Sequence, residues 1–351
     1  MEFQQNQNPE KKEGQQMKRL VGISALLFGV LILVLIPGYA GTLEVSKSMV
    51  PIPPDLVALP TIKAEPWLQI DTNPSVTLEG PSFDRQGNLF VTSIRNPGRV
   101  FKITPQKQVS VIFENKDIEV DGTAFHKDGR LFIGCLTGEL LAMNPDGTNV
   151  TSMKPTYEGR SFRMNDLIFD SKGNLFVSDF VGNVSNPIGG VYYLSSNFSN
   201  VKLVLRNLWA PNGVSLSPDG KTLWVSETAR NTIIRVDFLP DGVTPIPNTG
   251  VTFPYRSTGS AGGPDSNRVD ANGNLYQAIM AQGRVLILNN RGIPIANVVV
   301  PGRDEGKYHK TTNLAFKPGT REAYITAGGE GGAWIFKFEA IAEGATLFSH
   351  R

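Results

Sequence analysis

Beyond residue 36 the apolar positions fall in short alternating runs broken by turns of Gly, Asn and Asp, and no stretch holds a 3.6-residue apolar period. That pattern predicts strands throughout. One phrase recurs, a tight turn ending in glycine followed within a few residues by a large apolar pair that opens a strand. Its copies are FDRQGNLFVTS from Phe83, FHKDGRLFIGC from Phe125, FDSKGNLFVSD from Phe169, LSPDGKTLWVSE from Leu216, VDANGNLYQAI from Val269 and a looser FKPGTREAYITA from Phe316. The turn glycines Gly87, Gly129, Gly173, Gly220, Gly273 and Gly319 are spaced by 42, 44, 47, 53 and 46 residues. A repeat of about 45 residues built from short alternating strands predicts propeller blades, and six copies predict six of them. The fold class is therefore all-β, a six-bladed β-propeller over residues 63–351.

The first 62 residues follow another pattern. Leu20 to Ile36 carries no charge and, as a helix, spans roughly 25 Å, just enough to cross a bilayer. Lys11, Lys12, Lys18 and Arg19 precede it, so residues 1–19 are expected in the cytoplasm and everything beyond Pro37 outside it. Two readings fit: a retained transmembrane helix, or a signal segment cleaved after the small residues near Ala40. The apolar run exceeds a usual signal core, which favours membrane anchoring over secretion. Residues 37–62, with Pro51, Pro53, Pro54 and Pro60, read as a Pro-rich linker.

Composition narrows the partners. A net charge of +2 with interspersed signs gives no basic face for nucleic acid. The single cysteine, Cys135, rules out an intramolecular disulfide and a cysteine-rich zinc site, and its strand LFIGC makes it a core residue. There is no GxSxG elbow and no HExxH, and DGKT at Asp219 lacks the leading glycine of a phosphate loop.

The repeat itself carries the chemistry. Counting back eight positions from each turn glycine gives Glu79, Asp121, Asn165, Asn212 and Asp265, while the sixth copy offers Thr312 or Asn313. Innermost strands line a propeller's channel, so these oxygen-bearing side chains should converge at one mouth. Asn and Asp often do no more than cap turns, as is expected of Asp84, Asp128, Asp170, Asp219 and Asp270. Recurrence at one phase, with Glu among the members, points instead to a ring of ligands. Confined carboxylates stay ionised only beside a cation, and hard oxygen donors without imidazole or thiolate suit Ca²⁺, with Mg²⁺ or Mn²⁺ as lesser fits. His309, in the loop before the sixth copy, is a candidate for the same mouth.

These residues resemble the gluconolactonase, regucalcin (senescence marker protein) and luciferin-regenerating enzyme family. The likeness rests on LEGPSFDRQGNLFV from Leu78, RMNDLIFDSKGNLFVSD from Arg163, APNGVSLSPDGKTLWVSET from Ala210 and GGPDSNRVDANGNLYQA from Gly262. AEPWLQI at Ala64, NPIGGVYYLS at Asn186 and PGRDEG at Pro301 make it strongest toward the bacterial drug-responsive lactonases. The resemblance implies a divalent ion, usually calcium, and hydrolysis of lactone esters. It implies Glu79, Asn165, Asn212 and Asp265 as metal ligands, Asp265 also as catalytic acid/base, Ser266 as an added ligand and Arg163 as a substrate contact. Asp121 and His309 join Arg163 as candidate substrate-binding residues. The expected protein is a monomeric, membrane-attached lactonase. A non-catalytic binding propeller with a structural ion, and a strictosidine-synthase-like enzyme, are the competing readings.

Overall fold

The computed structural model describes residues 48–94, 97–247, 251–254 and 262–351. Six sheets, each with four antiparallel strands and one of them carrying a fifth strand, are arranged as the blades of a propeller. Their innermost strands are Leu78–Phe83, Val120–Phe125, Met164–Phe169, Pro211–Leu216, Pro264–Val269 and Lys310–Phe316. Each contacts the next, and the sixth contacts the first, which closes the ring. The expected six-bladed architecture is present.

The recurring turn-and-apolar phrase explains how blades adhere. Its turn aspartates Asp84, Asp170 and Asp270 each accept the backbone N–H groups two and four residues on, and the side chain of Asn88, Asn174 or Asn274. That side-chain turn hands the chain into the second strand. The second apolar residue of each copy is a large ring: Phe90, Phe132, Phe176, Trp224, Tyr276 and Tyr324, none more than 6% exposed. Phe90 packs with Phe125 and Ile133 of blade 2, Phe132 with Leu167 and Phe169 of blade 3, and Phe176 with Val214 and Val225 of blade 4. Trp224 packs with Leu275 and Leu286 of blade 5, Tyr276 with Leu314 and Ile325 of blade 6, and Tyr324 with Phe83 and Val91 of blade 1. The core is thus six interfaces, each filled by one ring driven into the next blade. Cys135 lies buried in the first of them, as its apolar strand implied.

Blade 6 is completed from the other end of the chain. Its strands Lys310–Phe316, Glu322–Gly328 and Ala333–Glu339 are joined by Glu65–Asp71, which pairs antiparallel with the last of them. Thr61–Lys63 adds a parallel fifth strand to blade 5. Packing begins before residue 63, inside the segment read as a linker. The Leu56 side chain is buried beside Trp224, Asn297 donates to the Leu56 carbonyl, and Arg303 donates to the Val50 carbonyl. The prolines that suggested an extended tether also suit a strap laid along blade 5, because its few backbone donors need no sheet partner.

Among the described residues no helix is long and apolar enough to cross a membrane. The segment 20–36 read as an anchor or signal lies outside them.

Candidate active site

The five residues counted back from the turn glycines all occupy the same register, four positions before the last residue of their inner strands. A break in strand pairing falls at this register in every blade: between Glu79 and Ser82, Val120 and Thr123, Met164 and Leu167, Pro211 and Val214, Pro264 and Asn267, and Thr311 and Asn313. A bulge kinks the strand and re-aims its side chain, here six times around one axis. Glycine follows the site residue in three blades because inner strands approach closely there. At Gly80, with φ +51°, a Cβ would sit 2.5 Å from the Asp121 carbonyl oxygen.

The result is a buried polar ring. Glu79 is 3% exposed, Asp121 1% and Asp265 7%. Glu79 accepts hydrogen bonds through Oε2 from Asn313 Nδ2 at 2.9 Å and from the Gly80 N–H at 3.0 Å. Asn165 Nδ2 donates to Asp121 Oδ2 at 3.1 Å. Asn212 hydrogen-bonds the Asp265 carboxylate through its side chain, and its Oδ1 accepts from Ser266 Oγ at 3.2 Å. Of the two residues offered by blade 6, Asn313 joins the ring, whereas the Thr312 hydroxyl turns away to the Leu78 carbonyl at 2.7 Å.

Burial and mutual repulsion dominate the electrostatics. Removal from water pushes Glu79 up to about 7 against the hydrogen bonds of Asn313 and Gly80. Burial raises Asp121 well above the carboxylate range, and the charges of Glu79 and Asp265 raise it further. Burial and then Glu79 do the same to Asp265. Three carboxyls in this ring therefore resist ionising together in the metal-free protein.

Asp121 Oδ1 and Asn165 Oδ1 are buried with no hydrogen-bond partner among the described residues. Orphaned acceptors beside crowded carboxyls are what a hard cation satisfies, so the donor set fits a calcium-type ion. Among the described residues no three His, Cys, Asp or Glu side chains group tightly enough to hold a metal by themselves. A coordination set here would draw on the amide oxygens of Asn165 and Asn212 as well.

Two of the candidate substrate residues stand just ahead of inner strands. Arg163 is exposed, donates its backbone N–H to Asp179 at 2.8 Å, and its charge favours the ionised form of Asp121. His309 precedes the blade 6 strand, with Nδ1 2.7 Å from the Gly306 carbonyl oxygen.

Sequence reading missed the ion pair beneath the ring. Asp166, fully buried, receives Arg268 Nη1 at 2.7 Å and Nη2 at 3.1 Å, which ties blade 3 to blade 5. Its negative charge adds to the raising of Glu79, Asp121 and Asp265. The available signal was Asp166 standing where blades 1, 2 and 4 have glycine, and Arg268 standing inside a buried strand.

The pattern of the SMP-30/Gluconolactonase/LRE-like region matches residues 77–329. The chain is 41% identical over 307 residues to Lactonase drp35 of Staphylococcus saprophyticus, covering 85% of this chain and 93% of that protein. Lactonase drp35 of Staphylococcus aureus strain USA300 is 40% identical over 312 residues, covering 86% and 94%. These names agree with the expected lactonase. In fold the chain is similar to a calcium-binding protein, regucalcin, from Agrobacterium tumefaciens, with a TM-score of 0.64 at 20% identity over 83% of this chain and 99% of that one. A luciferin-regenerating enzyme gives a TM-score of 0.65 at 19% identity over 81% and 98%. By blade count, by site register and by a family match across most of the propeller, the chain belongs to the SMP-30/gluconolactonase/LRE-like family.

Proposed function

We propose that this protein is a calcium-dependent lactonase in which Asp265 is the acid/base. One observation carries the reading: Glu79, Asp121 and Asp265 share one register and are buried together, and Asp121 and the neighbouring Asn165 leave acceptor oxygens without partners. Such a cluster is costly for folding and is useful for holding a cation.

Glu79, Asn165, Asn212 and Asp265 would hold the ion, with the Ser266 hydroxyl orienting the Asn212 amide or serving as a further ligand. When bound, a divalent ion supplies Lewis-acid polarisation of the lactone carbonyl and compensates the carboxylate charge. The remaining roles belong to side chains. Asp265, the least buried of the three acids, takes the proton of the attacking water and returns it to the leaving alkoxide oxygen. Arg163 and His309 orient the polar edge of the substrate from the rim, and Asp121 fixes its hydroxyl groups from within. The first experiment is a panel of lactones assayed with added Ca²⁺ and with a chelator. Reversible loss of hydrolysis on chelation supports the reading, while full activity in metal-free protein ends it.

Two further expectations extend the proposal. Residues 20–36, preceded by four basic residues, would attach the propeller to the outer side of the cytoplasmic membrane. A reporter fused after Arg351 that is active in the cytoplasm would refute this. The propeller is expected to act as a monomer, and light scattering at assay concentration checks it.

A further inference from the structure

The far end of the same channel encloses a cavity of about 390 Å³. Its wall is formed by the last residues of the six inner strands, Phe83, Phe125, Phe169, Leu216, Val269 and Phe316, and it is roofed by the chain from Glu343 to His350. That volume falls within the roughly 300–1,000 Å³ of small-molecule sites and is more than twice the ~150 Å³ apolar cavity that accepts benzene. The walls are largely apolar, and of the charged residues that line them Glu343 is exposed on the roof while one buried charged group reaches the inner surface. Arg268, 8% exposed, lines the cavity.

The guanidinium has five N–H donors. Nη1 uses both of its hydrogens, on Asp166 Oδ2 at 2.7 Å and on the Asn267 carbonyl at 2.6 Å, and Nη2 uses one on Asp166 Oδ1 at 3.1 Å. Nε and the second Nη2 hydrogen have no acceptor among the described residues. The polar neighbours do not compete for them: the Thr123 hydroxyl donates to the Gly80 carbonyl, and Ser82 and Thr123 are bonded to each other. Asp166 already neutralises Arg268, so a second carboxylate brought to the guanidinium would be an uncompensated buried charge. The open donors therefore select a neutral acceptor.

We infer that this cavity is a second binding site, distinct from the carboxylate ring, for a small uncharged apolar molecule that presents a carbonyl-type oxygen to Arg268. The roof is also the gate. It is held by Ala271 N–H to the Glu343 carbonyl at 2.7 Å, Gly344 N–H to the Thr320 carbonyl at 3.4 Å, Ala345 N–H to the Val269 carbonyl at 3.2 Å and Arg85 Nε to the Ser349 carbonyl at 2.7 Å, with Phe348 against Phe169 and His126.

The neutral naphthyl ketone prodan is the probe. Titration of the full chain should give saturable one-site binding with a blue-shifted emission. Acetophenone should displace it at least about threefold more effectively than ethylbenzene, the difference expected from one hydrogen bond. Ala124→Phe and Ala315→Phe fill the cavity from two different blades, and each should weaken prodan at least about tenfold while the protein remains folded by circular dichroism. Unchanged binding in either folded variant overturns the site, as does a lack of saturable binding by the parent. Equal displacement by ethylbenzene overturns the role of Arg268. Should both variants fail to fold, the anomalous signal of para-bromoacetophenone in crystals of the parent decides the matter, since bromine anywhere but this cavity refutes it.

Discussion

The two ends of the channel are built by the same six strands and differ by four residues of register. At one end stand Glu79, Asp121, Asn165, Asn212 and Asp265; at the other stand Phe83, Phe125, Phe169, Leu216 and Val269. The first set sits on bulges that turn polar side chains to the axis, with few hydrogen bonds for many oxygens. The second lies in regular ladder and buries apolar surface. Stability is concentrated between the blades, whereas the burden of desolvated charge is concentrated at the mouth. The propeller separates the demands of folding and chemistry along a single strand.

Substitutions at the two ends should therefore read out in different assays. The largest effect is expected for Asp265→Asn, which keeps the size but removes the basic oxygen. With Ca²⁺ saturating, kcat for lactone hydrolysis should fall at least about 100-fold, while in the metal-free protein the melting temperature should not drop, because a buried, reluctant carboxyl has been removed. Recovery of the rate merely by adding calcium would make Asp265 a ligand only. Phe132→Ala should do the reverse. It empties the interface between blades 2 and 3 and should cost about 3–5 kcal/mol in denaturant unfolding, with kcat/KM of the folded fraction nearly unchanged.

The third expectation concerns pH in the metal-free protein. Glu79 is raised to about 7 in the folded state from an ordinary value of 4.5, so the folded form binds its proton more tightly than the unfolded chain does. That contribution to stability is complete below pH 4.5 and disappears as pH rises through 7. Thermal melts of chelated protein should show stability declining by a few kcal/mol across that window, more steeply with Asp121 and Asp265 acting in the same direction. Added Ca²⁺ should flatten the decline; a rise in stability with pH would contradict the assignment. The smallest effect is expected for Asn212→Ala, which removes a neutral oxygen. Calcium affinity should weaken about tenfold, and activity should return when calcium is raised.

How much of this was legible in sequence depends on range. The six turn glycines and the rings that follow them are local signals, and they fixed blade number and the register of Glu79, Asp121, Asn165, Asn212 and Asp265. What escaped was non-local. Arg268 meets Asp166 across 102 residues, and Asn297 meets Leu56 across 241. No periodicity in the chain announces such pairs. The bulges were hidden because a bulge shifts pairing without altering the alternation that reveals a strand, although Gly80, Gly122 and Gly213 hinted at it. The prolines of residues 51–60 are ambiguous because the same residue serves a free tether and a docked strap.

The strand Glu65–Asp71 that completes blade 6 has a kinetic consequence. Glu65 pairs with Lys337, so blade 6 cannot be completed until nearly the whole chain has been made, and its interface with blade 1 waits until then. Local hairpins form quickly, while this last pairing bears the search over the longest loop in the molecule and should set the folding rate. Until then the exposed edge of Ala333–Glu339 is a template for any passing strand, including Glu65–Asp71 of another copy. Refolding at high concentration should accordingly yield domain-swapped dimers exchanging that one strand, and dilution should suppress them.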